Sequence, residues 1–364
     1  MDDLNSDLVI KDYEDEIWPD VHRLFRGVFG KDLDKRYFKW KNKDNPNGNS
    51  IAKVTFCREL IIGYSCIIKY RMCFLGKNIM AGQSVDAMVD EKFRRKGAYE
   101  NMAVEALKDA KKQGLGLRFN FPNHDAYMAS VNKVNIKKVC DVPQFLKILD
   151  GPKSFGIFTG NKLLKMLGGS LLKIRGCIQS FGLKMKKNLQ TYEIIEIRSF
   201  DKRFDELWQK VSSGFSIAVV RDSDYLNWRY AQSISDYKII AAFMDKELVG
   251  YIVGTIEDKV GKDGEILTLG HIADIVCHSE HSEAAVKLIT AMEECLKSKN
   301  ACAVSCWMLK HWFYAKILKN QGFLQLRSPA MLPALPIDDT VKNEEDTIYN
   351  QQNWFITIGD SDYI

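Results

Sequence analysis

The chain has 364 residues, 46% apolar and 27% charged, ordinary values for a globular protein and enough for two or three domains at roughly 100–200 residues each. No apolar run is long enough to span a bilayer, and the acidic start MDDLNSD has neither the basic nor the apolar region of a secretory signal, so a cytoplasmic protein is expected. Nine cysteines, scattered and odd in number, exclude a disulfide framework, and Cys302 and Cys306 stand too far from other ligand types for a metal site, so none is expected.

In chain order, VIKDYEDEIW reads as a strand followed by a helix start, and IAKVTFCRELIIGYSCIIKY, from Ile51, as two strands joined by a tight charged turn. QSVDAMV, from Gln83, is a further strand. It is followed by a basic loop, Arg94-Arg95-Lys96-Gly97. Beyond it Tyr99, Met102, Ala103, Ala106, Leu107 and Ala110 fall on one helical stripe, and Gly114 suits the left-handed residue after a helix end. A strand, a short basic glycine loop and a helix in that order leave the first-turn N–H groups and the helix dipole facing outwards, which is an anion site that a phosphate would fit. Another strand, LGLRFNFPN, and a last helix through Tyr127 complete this half.

The charge of +5 is unevenly spread, because residues 151–190 hold eight of the 52 basic residues and none of the 47 acidic ones. Within this segment, residues 160–187 alternate lysines with Leu, Met, Ile and Phe around Gly168-Gly169. Such a stretch is either a docked linker or a peripheral contact with an anionic membrane. Nucleic acid is not expected, since the basic residues are not interleaved with aromatic platforms.

The second half repeats the landmarks of the first. Phe56 with Gly63-Tyr64 returns as Phe243 with Gly250-Tyr251 at an offset of 187, and Val89 and Tyr127 return as Val276 and Tyr314 at the same offset. YFKWK, from Tyr37, returns as YLNWR, from Tyr225, one residue out of step; Trp40 and Trp228, present in both, are expected to be structural. The expected organisation is a domain over 1–150, the basic segment over 151–190, a second copy over 191–330 and a tail over 331–364 with an edge strand in NWFITI. Strands in runs with helices between them imply an α/β (α+β) mixed sheet.

These residues resemble the GNAT acyltransferase superfamily in a tandem arrangement, similar to the two-domain Fem-type transferases. The family carries an Arg/Gln-x-x-Gly-x-Gly/Ala loop whose backbone amides hold the coenzyme pyrophosphate; Arg94 and Gly97 match it, and Tyr99 departs from its last, small position. The resemblance implies two GNAT-like domains and an acyl-CoA-dependent N-acyltransferase that moves an acetyl or short acyl group from acetyl-CoA to a small-molecule primary amine. By analogy the acceptor is an amino sugar, nucleotide-linked or lipid-linked, as in polysaccharide biosynthesis. It implies coenzyme contacts from Val89, Arg94, Arg95, Lys96, Gly97, Ala98 and Tyr99, and from Asn123. Asp86, on the strand before the loop, is the candidate base. The family's tyrosine acid has no counterpart, since Val131 and Leu318 stand at its position; Tyr127 and His124 are the substitutes. In the second copy the loop reads His281-Ser282-Glu283-Ala284-Ala285, so coenzyme is expected in the first copy only, and Asp274 is a candidate for acceptor binding. Two other readings remain at this level: aminoacyl-tRNA-dependent transfer of the Fem type, and a non-catalytic binding protein that kept the fold.

Overall fold

In a computed structural model, residues 8–155, 191–262 and 264–362 are described. The chain forms two compact units. Unit 1 comprises residues 1–140 and 330–353; unit 2 comprises 141–329 and 354–364.

Unit 1 is built from β1 (Leu8–Asp12), α1 (Trp18–Phe29), α2 (Lys35–Asn42), β2 (Ile51–Cys57), β3 (Leu60–Phe74), β4 (Lys77–Val89), α3 (Ala98–Lys112), β5 (Leu115–Phe119) and α4 (His124–Val134). β1 to β4 pair antiparallel in sequence order, and β5 lies parallel to β4. The α3 stripe is buried as its spacing predicts: Met102, Ala103, Ala106 and Ala110 pack inwards, with Ala106 and Ala110 against Ile51, Ile67 and Leu115. Gly114 takes the left-handed conformation just past the helix. Trp40 is buried.

Unit 2 repeats the element order with β7 (Glu193–Ile197), α5 (Lys202–Ser212), β9 (Lys238–Met244), β10 (Glu247–Val260), β11 (Ile266–Cys277), α6 (Ser282–Ser298), β12 (Ala303–Trp307) and α7 (Phe313–Asn320), with a short strand β8 (Ile217–Val219) after α5. Trp228 is buried here as Trp40 is in unit 1.

The compact units depart from the sequence boundaries through two long strands, β6 (Lys137–Ile148) and β13 (Leu324–Pro336). β6 from Asp141 belongs to unit 2 and pairs antiparallel with β12, while β13 from Ala330 belongs to unit 1 and pairs antiparallel with β5. Unit 1 is thus completed by a strand remote in sequence from the rest of it. The tail divides in the same way, because residues up to Asn353 belong to unit 1 and those from Trp354 to unit 2. The edge strand expected in NWFITI reduces to one bridge, Ile217 to Trp354. The expected membrane contact of 160–187 lies outside the described residues. Among the described residues no helix is long and apolar enough to cross a membrane.

One ion cluster ties β2 to α3 in unit 1. The Lys53 ammonium donates to Asp12, at 2.5 Å, and to Asp109. Burial by itself would lower Lys53, but the hydrogen bonds to Asp109 and Asp12 outweigh it and raise it; the bond from Lys53 holds Asp109 below the usual carboxylate range. A carboxylate so depressed adds stability above its unfolded pKa and loses it as pH falls through the folded value. The stability gap between the native chain and Lys53→Met, read from urea midpoints, should therefore be wider at about pH 7 than at about pH 3.

Candidate active site

The basic glycine loop of unit 1 begins where β4 ends at Val89. Asp90 then caps a short 3-10 turn, Glu91–Phe93, by accepting the Lys92 N–H at 3.0 Å. Arg94 reaches back to donate its Nε to the Val89 carbonyl at 3.3 Å, which ties the loop to the strand end. Arg95 and Gly97 both take the left-handed conformation, at φ 62° and 81°, and α3 starts at Ala98 with no side chain capping it. The first-turn N–H groups are thus left without a side-chain acceptor. Arg94 and Arg95 are exposed, and the Lys96 ammonium lies over the Phe93 ring at 5.2 Å.

The loop stands beside an opening in the sheet. The β4–β5 pairing runs from Met80–Leu115 to Gln83–Phe119 and stops there, while β4 continues to Val89. In that unpaired stretch β4 bulges against β3 between Tyr64 and Cys66, and Asp86 sits in the bulge at φ 53°. Val85 and Ala87 line one small cavity with Ser84, Tyr99, Ala103 and Arg118. Asp86 is instead held by the buried Lys41 of α2, whose ammonium donates to its Oδ2.

The other candidate residues lie on α4. The Asn123 amide oxygen accepts the Ala126 N–H at 2.9 Å and so caps the helix, rather than standing free for a ligand. His124 is exposed in the first turn. Tyr127 packs beside the cluster of Ala103, Val134 and Ile136, so its ring is a packing group before it is a proton donor. The Tyr99 hydroxyl is 2.8 Å from Ser130 Oγ, which turns the ring away from the loop position that its place in the motif suggested. The structure therefore groups Val89, Arg94 to Tyr99 and the Asp86 bulge, and leaves Asn123, His124 and Tyr127 as the separate α4 set.

Two buried residues escaped the sequence reading. Arg118, on β5, is 2% exposed, and the Tyr64 hydroxyl is buried with no hydrogen-bond partner. Burial, together with the nearby Cys66 and Asp86, pushes the Tyr64 phenol well above its usual range. A signal for Arg118 was present in LGLRF, where one permanent charge interrupts an otherwise apolar strand.

Unit 2 has neither feature. Its loop passes through a 3-10 turn, Ser279–His281, into α6 with no glycine and no left-handed residue, and Glu283 stands in the first turn. Beyond the last β11–β12 pair, Ile272–Cys306, the protein's own residues 354–361 fill the space. Gly359 approaches so closely that an added Cβ would lie 2.8 Å from the Ala273 carbonyl and 2.1 Å from the Tyr230 hydroxyl. Asp274, expected to face an acceptor, is fully buried and paired with Arg221, so it has no surface to offer a ligand. Tyr314 is buried too, donating to the Cys277 carbonyl at 3.1 Å and accepting the Cys277 N–H at 2.7 Å. Among the described residues no cluster suits a metal ion.

Residues 9–131 match the family model described as an acetyltransferase (GNAT) domain. No curated protein matches the chain in sequence. Among solved structures, a GCN5-related N-acetyltransferase from Anabaena variabilis superposes with a TM-score of 0.62 at 12% identity, covering 91% of this chain and 73% of that one. The N-myristoyltransferase of Saccharomyces cerevisiae, solved with bound myristoyl-CoA and inhibitors, also gives 0.62, at 11% identity over 90% of this chain and 79% of its own. A GCN5-related N-acetyltransferase from Kribbella flavida gives 0.57 at 11% identity, covering 92% and 72%. Likeness at these identities speaks for the fold, and the family model speaks for the domain that holds the loop and the opening between β4 and β5. Residues 9–131 match a GNAT acetyltransferase domain, and the chain shares its fold with GCN5-related N-acetyltransferases and an N-myristoyltransferase.

Proposed function

We propose that this protein transfers an acetyl or other short acyl group from coenzyme A to a primary amine, with the coenzyme diphosphate at the start of α3. The observation that carries this reading is the uncapped helix start behind left-handed Arg95 and Gly97, present in unit 1 and missing from unit 2. A diphosphate needs converging N–H donors and positive charge, which the Ala98 to Glu100 amides and the Arg94, Arg95 and Lys96 side chains supply. The loop also has room, since a Cβ on Gly97 would meet nothing nearer than Asn101 Nδ2 at 3.8 Å. Its positive φ favours glycine there.

Bound in this way, the coenzyme supplies an acyl group activated as a thioester. The wedge beyond Gln83 and Phe119 leaves β4 backbone groups without β5 partners, open to the thioester arm. Asp86 takes the proton of the attacking amine through Oδ1, the oxygen Lys41 does not hold, and Lys41 fixes the carboxylate in place. Unit 2 serves as a second copy that has lost the loop. Amino sugars are the first acceptor class to screen, and their support is the sequence resemblance alone.

Calorimetric titration with acetyl-CoA tests the reading. Saturable binding is expected, weakened at least ~10-fold in Arg94→Glu, since reversing one charge at a phosphate costs a charge-assisted contact and adds repulsion. Glu283→Ala should leave it unchanged. Absence of binding at millimolar coenzyme would overturn the proposal.

A further inference from the structure

The five residues of β5 are all buried, and one of them is Arg118. Its Nε and Nη1 have no hydrogen-bond partner, and among the described residues no carboxylate forms an ion pair with it. Burial lowers the guanidinium below its usual range, and the Tyr99 hydroxyl is the group that favours its charge. A guanidinium stays protonated even when buried, so it cannot escape the cost of unsatisfied donors by losing its proton. Such a group is completed by something that enters.

The entry is beside it. Arg118 is opposite Gly82, one rung before the last β4–β5 pair, so it stands at the closed end of the wedge. With Ser65, Ser84, Tyr99 and Ala103 it lines a cavity of about 20 Å³. That volume suits one water or one oxygen of a polar terminus such as a carboxylate, and an alkyl terminus would leave the donors unmet.

Resting on the coenzyme reading above, we infer that Arg118 recognises a carboxylate at the far end of the transferred acyl chain. The donor is then the coenzyme thioester of a short dicarboxylic acid, not of a fatty acid. Arg118 is a specificity residue in this account: an open N–H donor meets a carboxylate oxygen, and one positive charge meets one negative charge inside the fold. Tyr99, the departure from the family loop, gains a role as the α3 residue beside this guanidinium.

The test is calorimetric titration of the full chain with coenzyme A, butyryl-CoA and succinyl-CoA, the last two differing in the terminal carboxylate. Succinyl-CoA is expected to bind at least ~10-fold more tightly than butyryl-CoA, an advantage of charge-assisted pairing. Arg118→Met should abolish the difference while binding coenzyme A itself as the native chain does. Equal affinities for the two thioesters in the native chain, or a preference that survives in Arg118→Met, would overturn the inference while leaving the coenzyme reading intact. Failure of coenzyme A itself to bind would overturn both. If Arg118→Met does not fold, the comparison of the two thioesters on the native chain decides the matter.

Discussion

Arg221→Met is expected to lower the stability of unit 2 by about 3–5 kcal/mol, because it strips the counter-charge from two fully buried carboxylates. Arg221 donates Nε to Asp274 at 3.1 Å, Nη2 to Asp360 at 2.8 Å and Nη1 to the Val219 carbonyl at 2.7 Å. Around them, Tyr251 donates to Asp274 at 2.9 Å, and the Thr357 N–H donates to Asp360 at 2.8 Å. The arginine is 1% exposed and both acids are 0% exposed, so water cannot replace what the methionine removes. The deficit should also depend on pH in a defined direction. Burial already pushes Asp360 above its usual range, Arg221 opposes that rise, and Asp274 adds to it. Without Arg221 the folded pKa rises further. A carboxylate raised above its unfolded value favours folding at acid pH and loses that contribution as pH rises through the folded value. Denaturant midpoints of the variant against the native chain should therefore diverge more at about pH 7.5 than at about pH 4.5. A constant gap would mean that Asp360 is already neutral in the native fold.

Asp86→Asn should cut turnover by roughly 10²–10⁴-fold, the usual worth of a positioned general base. Coenzyme affinity should change little, since the phosphate loop is separate from the bulge. Asparagine is the right replacement because Asp86 sits at φ 53°, a conformation asparagine tolerates well. Thiol release from acetyl-CoA in the presence of a panel of primary amines reads the effect, with acetyl-CoA titration as the control. Turnover that survives the substitution would assign Asp86 to the bulge alone, as the partner that neutralises buried Lys41.

The sequence by itself determined the elements whose cause is local. The α3 stripe was legible because apolar spacing and helical period agree over four turns. The loop was legible because a left-handed conformation favours glycine and a helix start leaves its donors free whatever the rest of the chain does. The matching element order of the two units was legible for the same reason: each has Gly-Tyr on a strand and an apolar stripe on a helix.

Tertiary structure alone decided what depends on residues far apart in the chain. The exchange of β6 and β13 between units is invisible to local pattern, since a strand reads the same whichever sheet edge receives it. The bulge at Asp86 was not legible, because a one-residue slip in pairing is set by the neighbouring strand. Asn123 and Asp274 looked like ligand groups until the fold brought a helix N–H to one and Arg221 to the other. Arg118 was visible as a charge in an apolar strand, yet only three-dimensional packing showed that no acid among the described residues pairs with it, and its two open donors make it a candidate for reading the acyl group.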